Sequence, residues 1–536
     1  MRTASSLLVL VVGAGLVPAL ALGTPASADD ASLAATTDSP VVVVDPAPRE
    51  LPRAARRFVP RAPHPLSETF ALHSNPGASR VIHLDVDGAT VAGTEWQAID
   101  DPIAPGRHGP WDTDGVPGSF SDAERTAIQE VWARVAEDYA PFDVDVTTED
   151  PGPAALRRSG SGDTTYGMTA LVTSSDAAWA WCARQCGGVA FVDVFDQVDP
   201  DGRLRPAWIF PGGMQDDPAG VADAVSHEVG HTLGLEHDGR GTDGYYEGHD
   251  AWGPIMGAPY ARRVTQWSNG SYPAATQRQD DVAVIASSGA ALRRDEGTTP
   301  PTGPAVISSR TDTDVYDLGA CSGQVTATVR PAAIGPDLDP RITLLDPTGR
   351  EVAAADPLGP VAATVTVAVG TSGAGTGTEG TAGWRVVVDG VGAPALGYDD
   401  YGSIGAYTLD VTGCTGSTTG PTSPLEPAPE QPAVVGPPGR IARPTATRGA
   451  KGGPATATVR WSAPKADGGA PVAAYQVLAH RMQGSKVRQT VRSGQLTGTG
   501  VTFRATRGTR WTFSVRARNS EGWGPAGPRS RAVRLR

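Results

Sequence analysis

Three histidines and one glutamate lie close together near the middle of the chain, in the order His227, Glu228, His231 and His237. Residues four positions apart lie on one face of a helix, so His227 and His231 can direct both imidazoles at one metal ion. Gly234 allows the chain to leave the helix, because only glycine enters left-handed geometry at low cost. The turn can then bring His237 round as a third ligand. The spacing predicts a zinc site with one open position for water.

Glu228 stands directly after the first histidine of this set. A carboxylate at that position points toward the open coordination position, where it can take a proton from water instead of binding the metal. The added glycine and third histidine make a chance occurrence of the pattern a poor explanation. Glu228 is therefore predicted to be the catalytic base.

The pattern HExxHxxGxxHD, which begins at His227 and ends at Asp238, resembles the metzincin metallopeptidases. That family has a methionine-containing turn downstream, to which Met256 corresponds here. The resemblance implies that Met256 forms an apolar floor beneath the metal without binding it, and that Asp238 has a structural role. In some metzincins a tyrosine two residues after the methionine contacts the metal, but that position is Ala258 here. Tyr260 is left as a candidate for oxyanion stabilisation.

The activity that this resemblance implies is peptide hydrolysis by a zinc metalloendopeptidase, with a protein or peptide as substrate. Zinc would activate the water, and Glu228 would deprotonate it and return the proton to the leaving amine. Two other classes stay open. A zinc-bound but catalytically idle adhesion or scaffold protein is one, against which the intact Glu228 argues. A hydrolase acting on a non-peptide bond is the other, because a three-histidine zinc helix does not identify the bond cut.

The elements that must position these residues follow from apolar periodicity and capping patterns. Strands are predicted at 80–86, 143–148, 168–173, 189–194 and 204–210, and helices after Ser121, from Asp216 or Asp217 to about Leu233, and after Asp280. This predicts an α+β, metzincin-like catalytic domain over residues 76–294, with a five-stranded mixed sheet and an active-site helix. The resemblance places strand 189–194 at an exposed sheet edge, where an extended substrate could add by main-chain hydrogen bonds.

Export is predicted from the beginning of the chain and from its cysteines. An apolar run at 7–22, followed by small residues at 26–28, is typical of a secretory signal over residues 1–28. No later segment is predicted to span a membrane.

The four cysteines Cys182, Cys186, Cys321 and Cys414 suit two disulfides in an extracellular protein. Their even count alone cannot assign the pairs, but the spacing suggests 182 with 186 and 321 with 414.

Residues 29–75 are rich in Ala, Pro and Arg and lack periodicity, which favours a pro-segment or a disordered leader. No cysteine occurs there, so latency, if present, is predicted not to use a thiolate on the zinc. The aspartates at 193, 196, 199 and 201 could bind Ca²⁺, but solvated loop carboxylates explain them better.

Two accessory domains are predicted after a linker at 295–304. Residues 305–414 show short alternating runs between Gly and Pro turns, which predicts a β-sandwich. Through segments 314–316, 337–344 and 401–407 they resemble the bacterial pre-peptidase C-terminal domain. A Pro/Ser/Thr-rich linker at 415–437 leads to residues 438–536, which resemble a fibronectin type III domain through segments 457–461, 475–477 and 511–519.

Charge divides the chain unequally. Residues 438–536 hold 19 Lys and Arg against two acidic residues, a net charge of +17, whereas the whole chain carries −13. The basic C-terminal domain could attract a polyanionic surface partner, or it could dock on the acidic remainder, and both readings stay open. We expect a monomer.

Overall fold

The computed structural model describes residues 9–10, 40–48, 62–99, 102–260, 262–370, 383–416, 438–450, 455–465, 471–483, 486–493, 496–519 and 522–535. Most of the predicted signal segment, much of the predicted leader and nearly all of the linker at 415–437 lie outside these residues. The chain divides into two compact units, Met1–Thr422 and Ser423–Arg536. Within the described parts, no helix combines the length and hydrophobicity needed to cross a membrane.

Among its described residues, the first unit contains five α-helices: α1 Asp122–Asp138, α2 Pro153–Leu156, α3 Asp176–Trp179, α4 Pro218–Thr232 and α5 Asp281–Ser287. Short 3-10 helices lie at Leu66–Glu68, Glu95–Gln97, Ala180–Cys182 and Pro211–Met214. The predicted capping box is confirmed, since Ser121 and Glu124 each accept a hydrogen bond from the backbone of the other. Asp217 caps α4 and Asp280 caps α5, as the sequence predicts. Side-chain acceptors therefore determine where the three longer helices begin.

A seven-stranded sheet is the centre of this unit. Its strands are β1 Val9–Leu10, β2 Val42–Pro46, β3 Arg80–Asp85, β6 Asp145–Thr147, β7 Tyr166–Val172, β8 Cys186–Phe191 and β9 Ala207–Ile209, in the order β1-β2-β8-β9-β7-β3-β6. Two separate pairs are formed by β4 Thr90–Val91 with β5 Gly106–Arg107, and by β10 Trp252–Pro254 with β11 Val264–Gln266. The sheet is mixed, because β3 pairs in parallel with β6 and β7 whereas β8 pairs antiparallel to β9.

The five strands predicted from the sequence all occur in this sheet, but the expected strand count is wrong. Strand β2, from the segment expected to be irregular, pairs antiparallel with β8, and β1 pairs with β2. The predicted exposed edge at 189–194 is therefore covered by another part of the chain. The physical reason lies in four consecutive valines at 41–44, since β-branched residues favour extended backbone even without an alternating pattern.

Helix α4 lies against β7, β8 and β9 and packs on α1. The hydroxyl of Tyr139, at the end of α1, donates a hydrogen bond of 3.0 Å to the backbone oxygen of Ser226 on α4. Val225 and Val229 of α4 are fully buried. The active-site helix of the sequence prediction is thus held between the sheet and a second helix.

The predicted β-sandwich follows in the same unit. Its strands are β12 Ala305–Ile307, β13 Thr313–Gly319, β14 Cys321–Pro331, β15 Pro340–Leu345, β16 Glu351–Ala355, β17 Ala363–Val369, β18 Trp384–Gly390 and β19 Gly405–Cys414. They form two four-stranded sheets, β12-β19-β14-β17 and β13-β18-β15-β16. The disulfide between Cys321 and Cys414 joins opposed residues of β14 and β19, which confirms that predicted pair.

Buried carboxyl groups lie where this sandwich meets α1. The Glu137 carboxylate accepts hydrogen bonds from the backbone nitrogens of Asp337, at 3.3 Å, and Ala406, at 3.1 Å. Burial raises the pKa of Glu137 to about 8 and that of Asp138 to about 7. Burial, together with the charges of Asp138 and Glu137, raises the pKa of Asp337 well above its usual range. This contact therefore holds acidic groups that stay protonated near neutral pH.

The second unit is all β, as predicted. Its strands are β20 Thr445–Arg448, β21 Thr456–Arg460, β22 Ala474–Gln483, β23 Lys486–Arg492, β24 Gly500–Arg504, β25 Arg510–Asn519, β26 Gly522–Trp523 and β27 Val533–Arg534. A three-stranded sheet, β20-β21-β24, faces a five-stranded sheet built on β22 and β25. Its own core includes the buried side chains of Trp461, Val477, Phe513 and Val515.

Candidate metal centre

Helix α4 and the turn that follows it bring the three predicted histidines together. His227 and His231 are 3% and 0% exposed on one face of α4. Gly234 has a φ of +92°, a left-handed conformation that ends the helix and reverses the chain toward His237. The Nε2 atoms of His231 and His237 lie 3.0 Å apart. The structure thus places the three residues as the spacing predicts.

Hydrogen bonds on the far side of the rings orient the two helical histidines. Nδ1 of His227 donates to the backbone oxygen of Ile255 at 2.8 Å, and Nδ1 of His231 donates to that of Leu235 at 2.7 Å. A carbonyl oxygen only accepts, so the Nε2 atoms carry no proton in the neutral rings and can bind a cation. Such outer contacts are typical of metal-binding histidines.

A fourth side chain, Asp45 of β2, reaches the same point. Its Oδ1 lies 2.6 Å from Nε2 of His237 and 3.4 Å from Nε2 of His227, and its Oδ2 lies 3.3 Å from Nε2 of His231. Asp45 is 3% exposed. No motif in the sequence indicated this residue, and the valine run before it was the one available sign of a strand there.

These four residues fit a zinc ion. Each offers one ligand atom, and the four atoms lie within 4.8 Å of one another. Imidazole nitrogens and a carboxylate oxygen are ordinary zinc ligands. Among the residues described, the buried atoms Nε2 of His227 and Oδ2 of Asp45 make no hydrogen bond of normal geometry. Buried polar atoms without hydrogen bonds are costly, and a bound cation would satisfy these two.

Glu228 lies between this centre and β8. It is 1% exposed, and a Cβ atom built on Gly188 of β8 would overlap its Oε1. A side chain at position 188 would therefore displace this carboxylate from its present position. Burial, with the neighbouring charge of Asp45, raises the pKa of Glu228 well above its usual range. The predicted base thus lies beside the metal centre and against β8.

Met256 and Asp238 have the surroundings of structural residues. Met256 is fully buried, and its sulfur lies 2.8 Å from where a Cβ atom on Gly230 would stand, so it packs closely against α4. The Asp238 carboxylate accepts hydrogen bonds from Tyr272 and Gln277, both at 3.0 Å. Neither belongs to the cluster of four ligand atoms.

Two tyrosines lie beside the centre, of which the sequence indicated one. The hydroxyl of Tyr260 lies 3.4 Å from the position of a Cβ atom on Gly187, in the strand next to the centre. Burial, and then the charges of Asp45 and Glu228, raise the pKa of Tyr260 well above its usual range. Tyr245 was not predicted. Its hydroxyl donates to Oδ1 of Asp45 at 2.9 Å, and its ring centroid lies 4.3 Å from that of His237.

The other predicted features are found near β8. Cys182 and Cys186 form the predicted disulfide at the beginning of that strand. The aspartates at 193, 196, 199 and 201 do not form a cation cluster, because no three of them bring oxygens within 4.8 Å of one another. Asp199 is instead paired with Arg205 at 2.5 Å. Calcium binding there stays a prediction without structural support.

Comparison with known proteins identifies the C-terminal unit. Residues 442–533 match the model of the fibronectin type III domain. No curated protein matches the chain.

Several solved structures resemble about a fifth of the chain. They include the titin kinase with its flanking domains (20% identity, 19% of this chain, 17% of that chain, TM-score 0.17) and the twitchin kinase region from C. elegans (18% identity, 18% and 17%, TM-score 0.17). The FN5 domain of Drosophila Lar is similar at 18% identity over 18% of this chain and 91% of that chain, with a TM-score of 0.14. This chain spans less than a fifth of the titin and twitchin chains. Similarity at this level gives no information about activity.

Proposed function

We propose that the chain is a secreted zinc-dependent endopeptidase, with a metzincin-like catalytic region at 76–294 and a pre-peptidase C-terminal-like sandwich at 305–414. The observation that supports it is the convergence of three Nε2 atoms beside a buried glutamate that lies against strand β8. Two disulfides agree with an extracellular location, where they persist.

His227, His231 and His237 would hold the metal. Bound zinc supplies Lewis acidity, which polarises a carbonyl group and acidifies water. Glu228 is placed to accept a proton from water and to return it to the leaving amine, because its carboxylate lies next to the ligands but is not one of the four clustered ligand atoms. In the intact chain the residues around it are buried.

Polypeptide is the substrate class that the surroundings favour. Strand β8 borders Glu228 and accepts an antiparallel strand along its outer edge, as its pairing with β2 demonstrates. An extended peptide makes the same main-chain hydrogen bonds, which give affinity with little side-chain selectivity. This arrangement argues against a non-peptide substrate, and the position of Glu228 argues against an idle scaffold.

Digestion of casein by the purified chain, with and without a zinc chelator, tests the proposal. The assay is run before and after brief trypsin treatment, with trypsin then blocked, because Asp45 covers the centre in the intact chain. Glu228→Gln should retain zinc and lose about 1000-fold or more in activity. Glu236→Gln, in the turn that follows α4 and exposed, is the matched control. Casein cleavage that survives in Glu228→Gln would rule out this mechanism.

The C-terminal unit supports a second, separate proposal, a polyanionic partner. Arg510, Arg516 and Arg518 alternate along β25 with the buried residues Phe513, Val515 and Ala517, so they lie on the outer face of the five-stranded sheet. Counterion release predicts that binding weakens steeply as salt rises. Retention on a polyphosphate column should fall for the double variant that combines Arg510→Ala and Arg518→Ala. It should not fall for the single variant Arg504→Ala, which lies on the other sheet. Equal retention of both variants would contradict this proposal.

A further inference from the structure

Strand β2 lies along β8 in the position that an extended substrate would take. The pairing is antiparallel, with Val43 opposite Ala190 and Asp45 opposite Gly188. Val192 donates to the backbone oxygen of Val41 at 2.9 Å, and alternation of the ladder then makes Val43 and Ala190 a hydrogen-bonded pair. The outer edge of β8 is therefore already satisfied by the chain itself.

The register of this pairing directs one side chain at the metal centre. Asp45 stands opposite Gly188, the residue that has no room for a side chain beside Glu228. Its carboxylate lies 2.6 Å from His237 and also receives the Tyr245 hydroxyl at 2.9 Å. Val42, three residues earlier, is fully buried. Three kinds of contact therefore hold the five residues Val42–Pro46 in place: backbone pairing with β8, the buried side chain of Val42 and the contacts of the Asp45 carboxylate.

We infer that Val42–Pro46 is an internal inhibitory strand, which occupies the substrate position on β8 while Asp45 fills the coordination position that a catalytic zinc centre keeps open. This inference rests on the proposed function and names its regulation. Asp45 would thus occupy the metal position that a cysteine thiolate could otherwise take. All four cysteines of the chain are in disulfides. The intact chain is then a latent precursor.

The strand Val42–Pro46 can inhibit because it is covalently attached to the catalytic region. Covalent attachment through a short linker gives a binding segment an effective concentration in the millimolar range. A tethered strand of five residues can therefore stay bound where the same five residues as a free, dilute peptide would dissociate. Five arginines follow between residues 49 and 61, at positions 49, 53, 56, 57 and 61. Cleavage after any of them would separate the strand from the catalytic region, so that β2 could dissociate and a substrate could bind.

Cobalt substitution tests the ligand without relying on activity, because the visible spectrum of Co²⁺ changes with its ligands. The full chain is compared with Asp45→Asn, with Val43→Pro, and with Asp201→Asn as an exposed control. We expect an altered spectrum for Asp45→Asn and an unchanged one for Asp201→Asn. Hydrolysis of an extended peptide should rise about tenfold or more in both Asp45→Asn and Val43→Pro, since each removes one of the two attachments.

A synthetic peptide of residues 40–48 provides a second measurement. It should inhibit Asp45→Asn, and the same peptide with asparagine at position 45 should inhibit at least roughly tenfold less. An unchanged cobalt spectrum in Asp45→Asn would overturn the inference even if the chain is a peptidase. Equal peptide hydrolysis by the wild type and both variants would also overturn it. An altered spectrum with no hydrolysis by any variant would instead refute the proposed function and keep Asp45 as a ligand.

Discussion

Gly188 and Glu228 are in contact so close that a Cβ atom at position 188 would overlap the present position of the Glu228 carboxylate. Gly188→Ala should displace the Glu228 carboxylate without touching a metal ligand, and we expect about a 100-fold loss of kcat for peptide hydrolysis. Zinc content should be unchanged. Gly187→Ala is the control, because its Cβ atom would approach no atom of another residue closer than 3.2 Å. Loss of zinc in Gly188→Ala would instead indicate that the centre itself is disturbed.

The three histidines should differ from other histidines of the chain in metal binding. His231→Ala and His237→Ala each remove one ligand, so we expect bound zinc to fall well below one ion per chain after dialysis. His480→Ala, in the second unit, should keep full occupancy. Metal analysis of the purified proteins measures this directly. Full zinc occupancy in His231→Ala and His237→Ala would exclude both from the ligand set.

Tyr245 and Tyr260 are rival candidates for stabilising the negative charge that develops on the substrate carbonyl. Tyr245 is the better placed, because its hydroxyl lies 2.9 Å from an oxygen in the ligand cluster. In the Asp45→Ala background, which removes the competing contact, Tyr245→Phe should lower kcat by roughly 100-fold with little change in KM. Tyr260→Phe should have the smaller effect. The reverse order would assign the role to Tyr260, as the sequence suggested.

The buried carboxyl groups at the sandwich contact should make the first unit less stable as pH rises. Glu137 and Asp138 have folded pKa values of about 8 and about 7, above those of the unfolded chain, so the folded state binds more protons between about pH 4 and pH 8. Their stabilising contribution is complete below pH 4 and is lost as pH rises through this window. Each such proton contributes about 1.4 kcal/mol per pH unit.

Asp337→Asn removes one acid from this cluster and should flatten the pH dependence of the free energy of unfolding between pH 5 and pH 8. Asp317→Asn, on an exposed strand position, should leave it unchanged. Denaturant unfolding at several pH values, in excess zinc, gives the comparison. Identical slopes for Asp337→Asn and the wild type would show that Asp337 does not contribute protons in this range.

The sequence by itself determined the parts of the centre that depend on neighbouring residues. His227 and His231 share a face because of helical geometry, Gly234 ends the helix because it accepts a positive φ, and Asp217 begins it through a side-chain hydrogen bond. The disulfide between Cys182 and Cys186 spans four residues. Each of these features is decided within one or two turns of backbone, so a local pattern is enough to predict it.

Only the tertiary structure showed what covers the centre. Asp45 lies 192 residues before His237, and Tyr245 lies 200 residues after Asp45, yet their side chains meet. The number of strands in the sheet was decided in the same way, by which strand pairs with β8, and the close approach of Gly188 to Glu228 was decided by the packing of α4 on β8. Strand pairing is made by hydrogen bonds between residues distant in the chain, and nothing in the local pattern of either strand specifies its partner.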